Sequence, residues 1–199
     1  MHGATLVVID VQRAIDDPSW ARWGDRNNPD AEVKIARLLQ AWRTSGRPIV
    51  HVRHESPDPN STYCPGQPGA EFKPEVAPAP DERVVVKHTA NAFIGTTLER
   101  QLRGAGAQAL VLVGVITNNS VEATARMAGD LGFDCWVVSD ATATFARPDS
   151  DGILRSAAEV HAMSLANLDG EYARIATTEE ILARLEGDAR SGSEASDGA

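Results

Sequence analysis

The chain has 199 residues, 42% of them hydrophobic, and a formal net charge of −9. That length supports one sizeable core, so one domain is expected, and the acidic balance argues against the basic face that a phosphate backbone requires, so no nucleic-acid partner is expected. The apolar runs are strand-length, Ala109–Val115 among them, far short of the roughly 18 residues of a membrane-spanning helix, so no membrane partner is expected. The start, Met1-His2-Gly3-Ala4, leads straight into a strand pattern. No basic segment followed by an apolar one precedes it, so no secretory leader is read there. Two cysteines, Cys64 and Cys135, make no disulfide framework, and a reducing cytoplasm is the expected setting.

In chain order, Thr5–Ile9 is β-branched and ends at Asp10, which predicts a buried strand. Residues 30–45 predict a helix capped by Asp30, with Val33, Ala36, Leu38 and Leu39 on one face and Gly46 as the stop. Residues 48–53 (PIVHVR) predict the second strand. Residues 55–80 carry seven prolines and no helical period, hence a surface loop. Arg83–Lys87 predicts the third strand, residues 96–103 a short helix, and Ala109–Val115 the fourth strand. A helix over 120–131, a strand over 134–139 and a long helix over 149–168 capped by Asp149 follow. A short strand over 172–176 and a helix over 179–185 capped by Thr178 complete the pattern. Strands alternating with helices, and strands that are apolar throughout, imply an α/β protein. The expected architecture is three-layer α/β/α, with a mostly parallel sheet of about six strands and helices on both faces. The domain is expected to span 1–186, and 187–199, rich in Gly, Ser, Ala and Asp, to form a flexible acidic tail.

Ligands of such sheets bind beyond the carboxyl ends of the strands. Asp10 follows the first strand, Lys87 ends the third, and residues 114–120 follow the fourth. Singly, an Asp there is a turn former, a Lys a solvated charge and Ser120 a helix cap. Together they place three polar groups, distant in sequence, at one sheet edge.

Three segments then carry a resemblance: LVVIDVQ from Leu6 to Gln12, VVVKHTANAFIGTTLERQL from Val84 to Leu102, and LVLVGVITNNSVEATARMAGDLGFDCWVVSDATATF from Leu110 to Phe145. In that order and spacing they resemble the isochorismatase-like (cysteine) hydrolases over about residues 5–185. The resemblance implies Asp10 as the acid/base carboxylate, Lys87 as the cation beside it, and a nucleophilic Cys at position 120. It implies the backbone N–H groups of Ile116 and Ser120 as an oxyanion hole, and a cis Val115–Ile116 peptide bond. Here the chain departs from the pattern. Where related sequences read Thr-Asn-His-Cys, this chain reads Thr117-Asn118-Asn119-Ser120, two changes together. A hydroxyl is much harder to ionise than a thiol, which weakens thiol-style covalent catalysis. Protonation of an enol ether by Asp10 needs no thiol and stays open.

Some relatives, the nicotinamidases, hold a metal through an Asp-x-His…His cluster. Here His51 lies within an apolar strand and reads as a core residue, and the loop offers Glu55, Asp58 and Glu71 but no second histidine beside His54. Neither a metal nor another cofactor is expected. Gln12, Trp20, Phe93 and His54 are candidate pocket residues. Trp23 and Tyr63 join them, the aromatics being equally candidates for core or subunit contacts. Arg13 and Arg53 are weaker candidates for meeting a substrate carboxylate. Relatives are commonly dimers or tetramers, so a homo-oligomer is expected, with the Pro-rich loop, Trp20 and Trp23 as contact surface. The functional expectation is hydrolysis of a small-molecule substrate at a C–N amide or ureide bond or an isochorismate-type enol ether. The alternative is a catalytically silent relative acting as a ligand-binding or oligomeric protein, which Ser120 brings into play.

Overall fold

A computed structural model of the chain describes Met1 and residues 3–196, with side chains through Asp188. Strands β1 (Thr5–Ile9), β2 (Ile49–His54), β3 (Arg83–Lys87), β4 (Ala109–Val115) and β5 (Asp134–Ala143), with β8 (Arg174–Ala176), form one six-stranded sheet. Its order is β3-β2-β1-β4-β5-β8, and every neighbouring pair is parallel. Strands β6 (Arg147–Pro148) and β7 (Leu154–Arg155) make a separate antiparallel hairpin. The helices are α1 (Ala31–Thr44), α2 (Leu98–Gly104), α3 (Glu122–Asp130), α4 (Ala157–Leu168) and α5 (Thr178–Ser196).

The unbroken apolar strands are explained by two cores. Leu6 and Val8 of β1 and Val111 and Val113 of β4 pack with Ile35, Leu38, Leu39 and Trp42 of α1 and with Ile181 of α5. The alternate residues Val7, Ile9, Leu110 and Leu112 pack on the other face with Leu98, Leu102, Ala125 and Leu168 of α2, α3 and α4. A period of two therefore buries both faces, and the chain is a three-layer α/β/α protein. Each fully buried Val or Leu contributes on the order of 1.5–3 kcal/mol.

Several local expectations are corrected. Val33 is 62% exposed. The buried stripe of α1 runs through Ala31, Ile35, Leu38, Leu39 and Trp42, and Val33, two residues from Ala31 and Ile35, falls on the opposite side of the helix. Asp30 precedes α1 but makes no side-chain cap. Residues 149–155, expected as helix, form the hairpin turn and strand β7, and in the turn Asp149 Oδ1 accepts from the N–H groups of Asp151 and Ile153. The helix begins only after Ser156, whose hydroxyl accepts from Glu159 N while the Glu159 carboxylate accepts from Ser156 N. That reciprocal Ser-x-x-Glu box is a stronger start signal than one aspartate. At α5 the capping residue is Thr177, paired in the same way with Glu180, rather than Thr178. The helix runs on to Ser196 instead of ending at Leu185, across most of the expected tail; residues 197–199 lie outside the described residues. Strand β5 extends past Ser139 to Ala143 because its register against β4 shifts between Leu112 and Gly114. Asn28 Nδ2 holds the irregular stretch by donating to the carbonyls of Ser139 and Thr142. The exposed large hydrophobics include Trp23 and, on the hairpin and α4, Ile153, Leu154 and Met163. Among the described residues, no helix is long and apolar enough to cross a membrane.

The sheet order creates the site. From β1 the chain proceeds outward to β2 and β3, then returns to the other side of β1 for β4. The connections after β1 and β4 diverge and leave a crevice at their carboxyl ends. Gly114 sits at this junction opposite Ile9, with φ +123°. A Cβ there would stand 2.1 Å from the Ile9 carbonyl oxygen, so only glycine lets β4 lie this close to β1. Gly114→Ala is expected to lower stability by at least about 2 kcal/mol, from backbone strain and the clash together, measured as a reduced midpoint of urea unfolding with the slope unchanged.

Candidate active site

Asp10 leaves the end of β1 in the left-handed region, at φ +54°, a conformation that aspartate tolerates better than most residues. Its N–H donates to Val52 O and its carbonyl accepts from Gln12 N. Lys87 ends β3 opposite His54 of β2. The two side chains meet across the end of β2: Lys87 Nζ lies 2.6 Å from Asp10 Oδ2. The same ammonium donates to Thr89 O at 2.9 Å and to Ser120 Oγ at 3.3 Å. Its three N–H donors are thus all engaged. Asp10, Lys87 and Ser120 are all buried, and the three converge at one sheet edge.

Burial drives the Asp10 carboxyl up from 3.8 to about 6, although the Lys87 charge and hydrogen bonds from Lys87 and Ser120 pull it down. Desolvation therefore outweighs the ion pair. Asp10 Oδ1 is buried and has no hydrogen-bond partner. Since the folded carboxyl holds its proton more tightly than the unfolded one, its contribution to stability is present below pH 3.8 and is lost as the pH rises through about 6.

Ser120 stands in a wide, π-type turn, Thr117–Val121, between β4 and α3, with Val121 N–H reaching back to Ile116 O. The expected helix over 120–131 therefore begins only at Glu122. The turn is fixed from outside. Thr117 Oγ1 shares a hydrogen bond with His161 Nδ1 of α4, at 2.9 Å. Ser164 Oγ contacts both Thr117 O and Glu122 Oε2. Asn118 Oδ1 accepts from the Thr144 hydroxyl. The Val115–Ile116 peptide bond is cis.

Asp10 and Ser120 open onto a cavity of about 260 Å³, lined also by Trp20, His54, Tyr63, Ile116 and Asn119, while Lys87 stands behind them, fully buried. Of the candidate pocket residues, Trp20 and His54 line it. Gln12 and Phe93 do not, and the structure gives each another role. Gln12 is fully buried; its Nε2 donates to His54 O and Ala70 O, and its Oε1 accepts from His54 N. It thereby pins the Pro-rich loop against the end of β2 and brings Tyr63 to the cavity. Phe93 stacks on Phe133, with ring centroids 6.2 Å apart. Arg53 pairs with Glu55 and Arg13 is exposed; neither lines the cavity. His51 is buried against Glu82, with Nε2 2.9 Å from Oε2. Desolvation lowers the His54 pKa to about 4, with Lys87 and His88 adding to the shift, so its imidazole is neutral. Among the described residues, no three His, Cys, Asp or Glu side chains gather as a metal site. Neither cysteine stands in for position 120. Cys64 lies in the loop, and Cys135 is buried in β5, where desolvation pushes its thiol up to about 12.

Sequence reasoning missed the residues that hold the Ser120 turn. His161 and Ser164 are three apart on α4, and two polar side chains at that spacing share one helix face, a legible sign of one polar contact. Thr89, which accepts from Lys87 through its carbonyl, left no side-chain signal.

The chain is similar in sequence and fold to known proteins. Residues 4–180 match the model of the isochorismatase domain. An isochorismatase family protein of Bacillus subtilis is 38% identical over 177 residues, 89% of this chain and 93% of that protein. A streptothricin hydrolase of Streptomyces noursei is 34% identical over 149 residues, 74% of this chain and 57% of that protein. Among solved structures, an isochorismatase-family protein from Chromobacterium violaceum superposes with a TM-score of 0.89 at 57% identity, covering 92% of this chain and 94% of that one.

The balance between burial and the ion pair can be read directly. In carbon-detected NMR of the Asp side chains, the Asp10 carboxyl is expected to titrate near 6. In Lys87→Met, which removes the cation that lowers it, the titration moves higher still. A downward move would refute the assignment of causes.

Proposed function

The chain belongs to the isochorismatase family, and from that premise we propose that it hydrolyses a small amide or ureide, with Ser120 as nucleophile, Asp10 as proton carrier and Lys87 as fixed cation. The observation that carries this reading is the convergence of Lys87 Nζ on Asp10 Oδ2 and Ser120 Oγ at 2.6 and 3.3 Å. The relative named for hydrolysing streptothricin supports hydrolysis as the reaction class.

The chemistry follows from the donor pattern. Lys87 already donates to Ser120 Oγ, so the hydroxyl proton is free to pass to the Asp10 carboxylate as Oγ bonds to the carbonyl carbon. A carboxylate whose conjugate acid has a pKa of about 6 is a stronger base than an ordinary one. The Lys87 ammonium, which already donates to Ser120 Oγ, stabilises the developing alkoxide. The backbone N–H groups of Ile116 and Ser120 are assigned to the tetrahedral oxyanion. Collapse breaks the C–N bond, and the amine leaves with the proton from Asp10. Water then gives a proton to Asp10 as its oxygen adds to the acyl–Ser120 carbonyl carbon; collapse breaks the ester C–Oγ bond, Asp10 returns the proton to Ser120 Oγ, and the acid product leaves.

One observation favours a second route. A carboxyl raised to about 6 with an unpartnered oxygen also suits an acid that protonates an enol ether. The pH profile separates the two. For the serine route, kcat/KM on small amides rises with pH through about 6, as Asp10 ionises; for the acid route, kcat/KM on isochorismate falls above the same value.

Substitution gives a further test. Asp10→Asn is expected to lower kcat/KM by at least about a hundredfold on either route. Ser120→Ala abolishes the serine route and spares the acid route. Ser120→Cys is expected to gain amidase or esterase activity and to be alkylated faster than Cys64 or Cys135, since its thiolate forms beside Lys87. Unchanged turnover in Asp10→Asn would sink both schemes.

A further inference from the structure

The Ser120 cavity does not end at its own walls. Trp20, Ile116 and Asn119 also line a second chamber of about 430 Å³ immediately outside it. The two together have the size of an ordinary small-molecule site. The outer chamber is built unlike the rest of the surface. Its apolar walls are Trp20, Trp23 and Phe145, with Trp20 and Phe145 in ring contact at 5.9 Å. Its charged residues are Arg22 and Arg147, and no Asp or Glu lines it. In a chain of net charge −9, that local composition runs against the average.

Neither arginine makes an ion pair among the described residues, although Arg147 also borders a neighbouring cavity that carries Glu122, Asp149 and Glu159. Many of the protein's other arginines pair with carboxylates, Arg26 with Glu32, Arg43 with Glu82 and Arg155 with Asp149 among them. Among the described residues, Arg22 and Arg147 have no such partner. The Arg22 guanidinium instead lies over the Trp23 ring, 3.8 Å from its centroid. Stacking fixes the plane of the guanidinium and leaves its in-plane N–H donors free, the arrangement that grips a carboxylate through paired hydrogen bonds.

We propose that the outer chamber is an anion subsite: the substrate carries a carboxylate at the end remote from its scissile carbonyl, held by Arg22 and Arg147, with a flat apolar body against Trp20 and Phe145. This rests on the Ser120 cavity being the reacting end. The two arginines then select among amides by charge, while Ser120, Asp10 and Lys87 do the chemistry. Electrostatic attraction into a low-dielectric cleft also concentrates anionic substrates at the mouth.

The test uses two probes of one shape, terephthalamate and its neutral counterpart terephthalamide, titrated calorimetrically into the full chain carrying Ser120→Ala, which separates binding from turnover. Terephthalamate is expected to bind at least about tenfold more tightly, and that preference should weaken as sodium chloride is raised. Adding Arg22→Ala and Arg147→Ala should bring the two probes within about twofold of each other, whereas Arg22→Lys with Arg147→Lys keeps part of the preference. Equal affinities before the arginines are changed, no binding of either probe, or a preference that survives their removal would each overturn the proposal. Amide turnover by the unaltered chain is scored separately. A chain that prefers terephthalamate yet cleaves no amide keeps the subsite and loses the serine hydrolase reading; cleavage without preference does the reverse.

Discussion

A buried ammonium and a buried carboxylate, 2.6 Å apart at the end of a parallel sheet, are the constraint around which the site is built. Taking both charges out of water is costly, and the pair does not fully recover the cost, since the Asp10 carboxyl still sits at about 6. The arrangement persists because the backbone leaves it no alternative. Asp10 and Lys87 stand at the carboxyl ends of β1 and β3, with β2 between them held in register on both sides. The Thr89 carbonyl and the Ser120 hydroxyl take the remaining donors of the ammonium. A fold optimised for stability alone would place apolar side chains here, and a costly buried pair of this kind is what the proposed chemistry would require.

The serine is the second constraint. A hydroxyl cannot wait as an anion in the way a thiolate can, so its proton needs a carrier at the moment of attack. On the proposed serine route desolvation supplies one, by making Asp10 a stronger base. The turn that presents Ser120 is correspondingly over-determined. His161 and Ser164 of α4 hold Thr117, and Thr144 beyond β5 holds Asn118. Position, rather than the intrinsic reactivity of the side chain, is what this structure contributes.

Charge is distributed with the same economy. The overall balance of −9 describes the bulk surface and says little about the mouth of the cleft. There the chain gathers arginines without acids on aromatic walls. A net charge bounds the partners of a whole molecule, whereas recognition is decided within a few ångströms of particular groups.

By itself the sequence determined the α/β class, the strands β1, β3 and β4 to the residue, the family, and the edge at which Asp10, Lys87 and Ser120 would meet. These are legible because they rest on short-range rules: continuous apolar runs mark buried parallel strands, and ligands gather beyond their carboxyl ends. What only the tertiary structure decided depends on residues far apart in the chain. The β5 irregularity is held by Asn28, more than a hundred residues away. Gln12 and Phe93, polar and aromatic residues within the motifs, serve the loop and the core instead of the pocket. The Ser120 turn is wide where the pattern predicted a plain helix, because its anchors lie on α4. The long predicted helix over 149–168 is divided into a hairpin and α4, since the reciprocal box at Ser156 and Glu159 outweighs a single aspartate. The meeting of Arg22 with Arg147 around one chamber could not be read from residues more than a hundred positions apart. Periodicity records which way a side chain faces, but not what the rest of the chain brings to meet it.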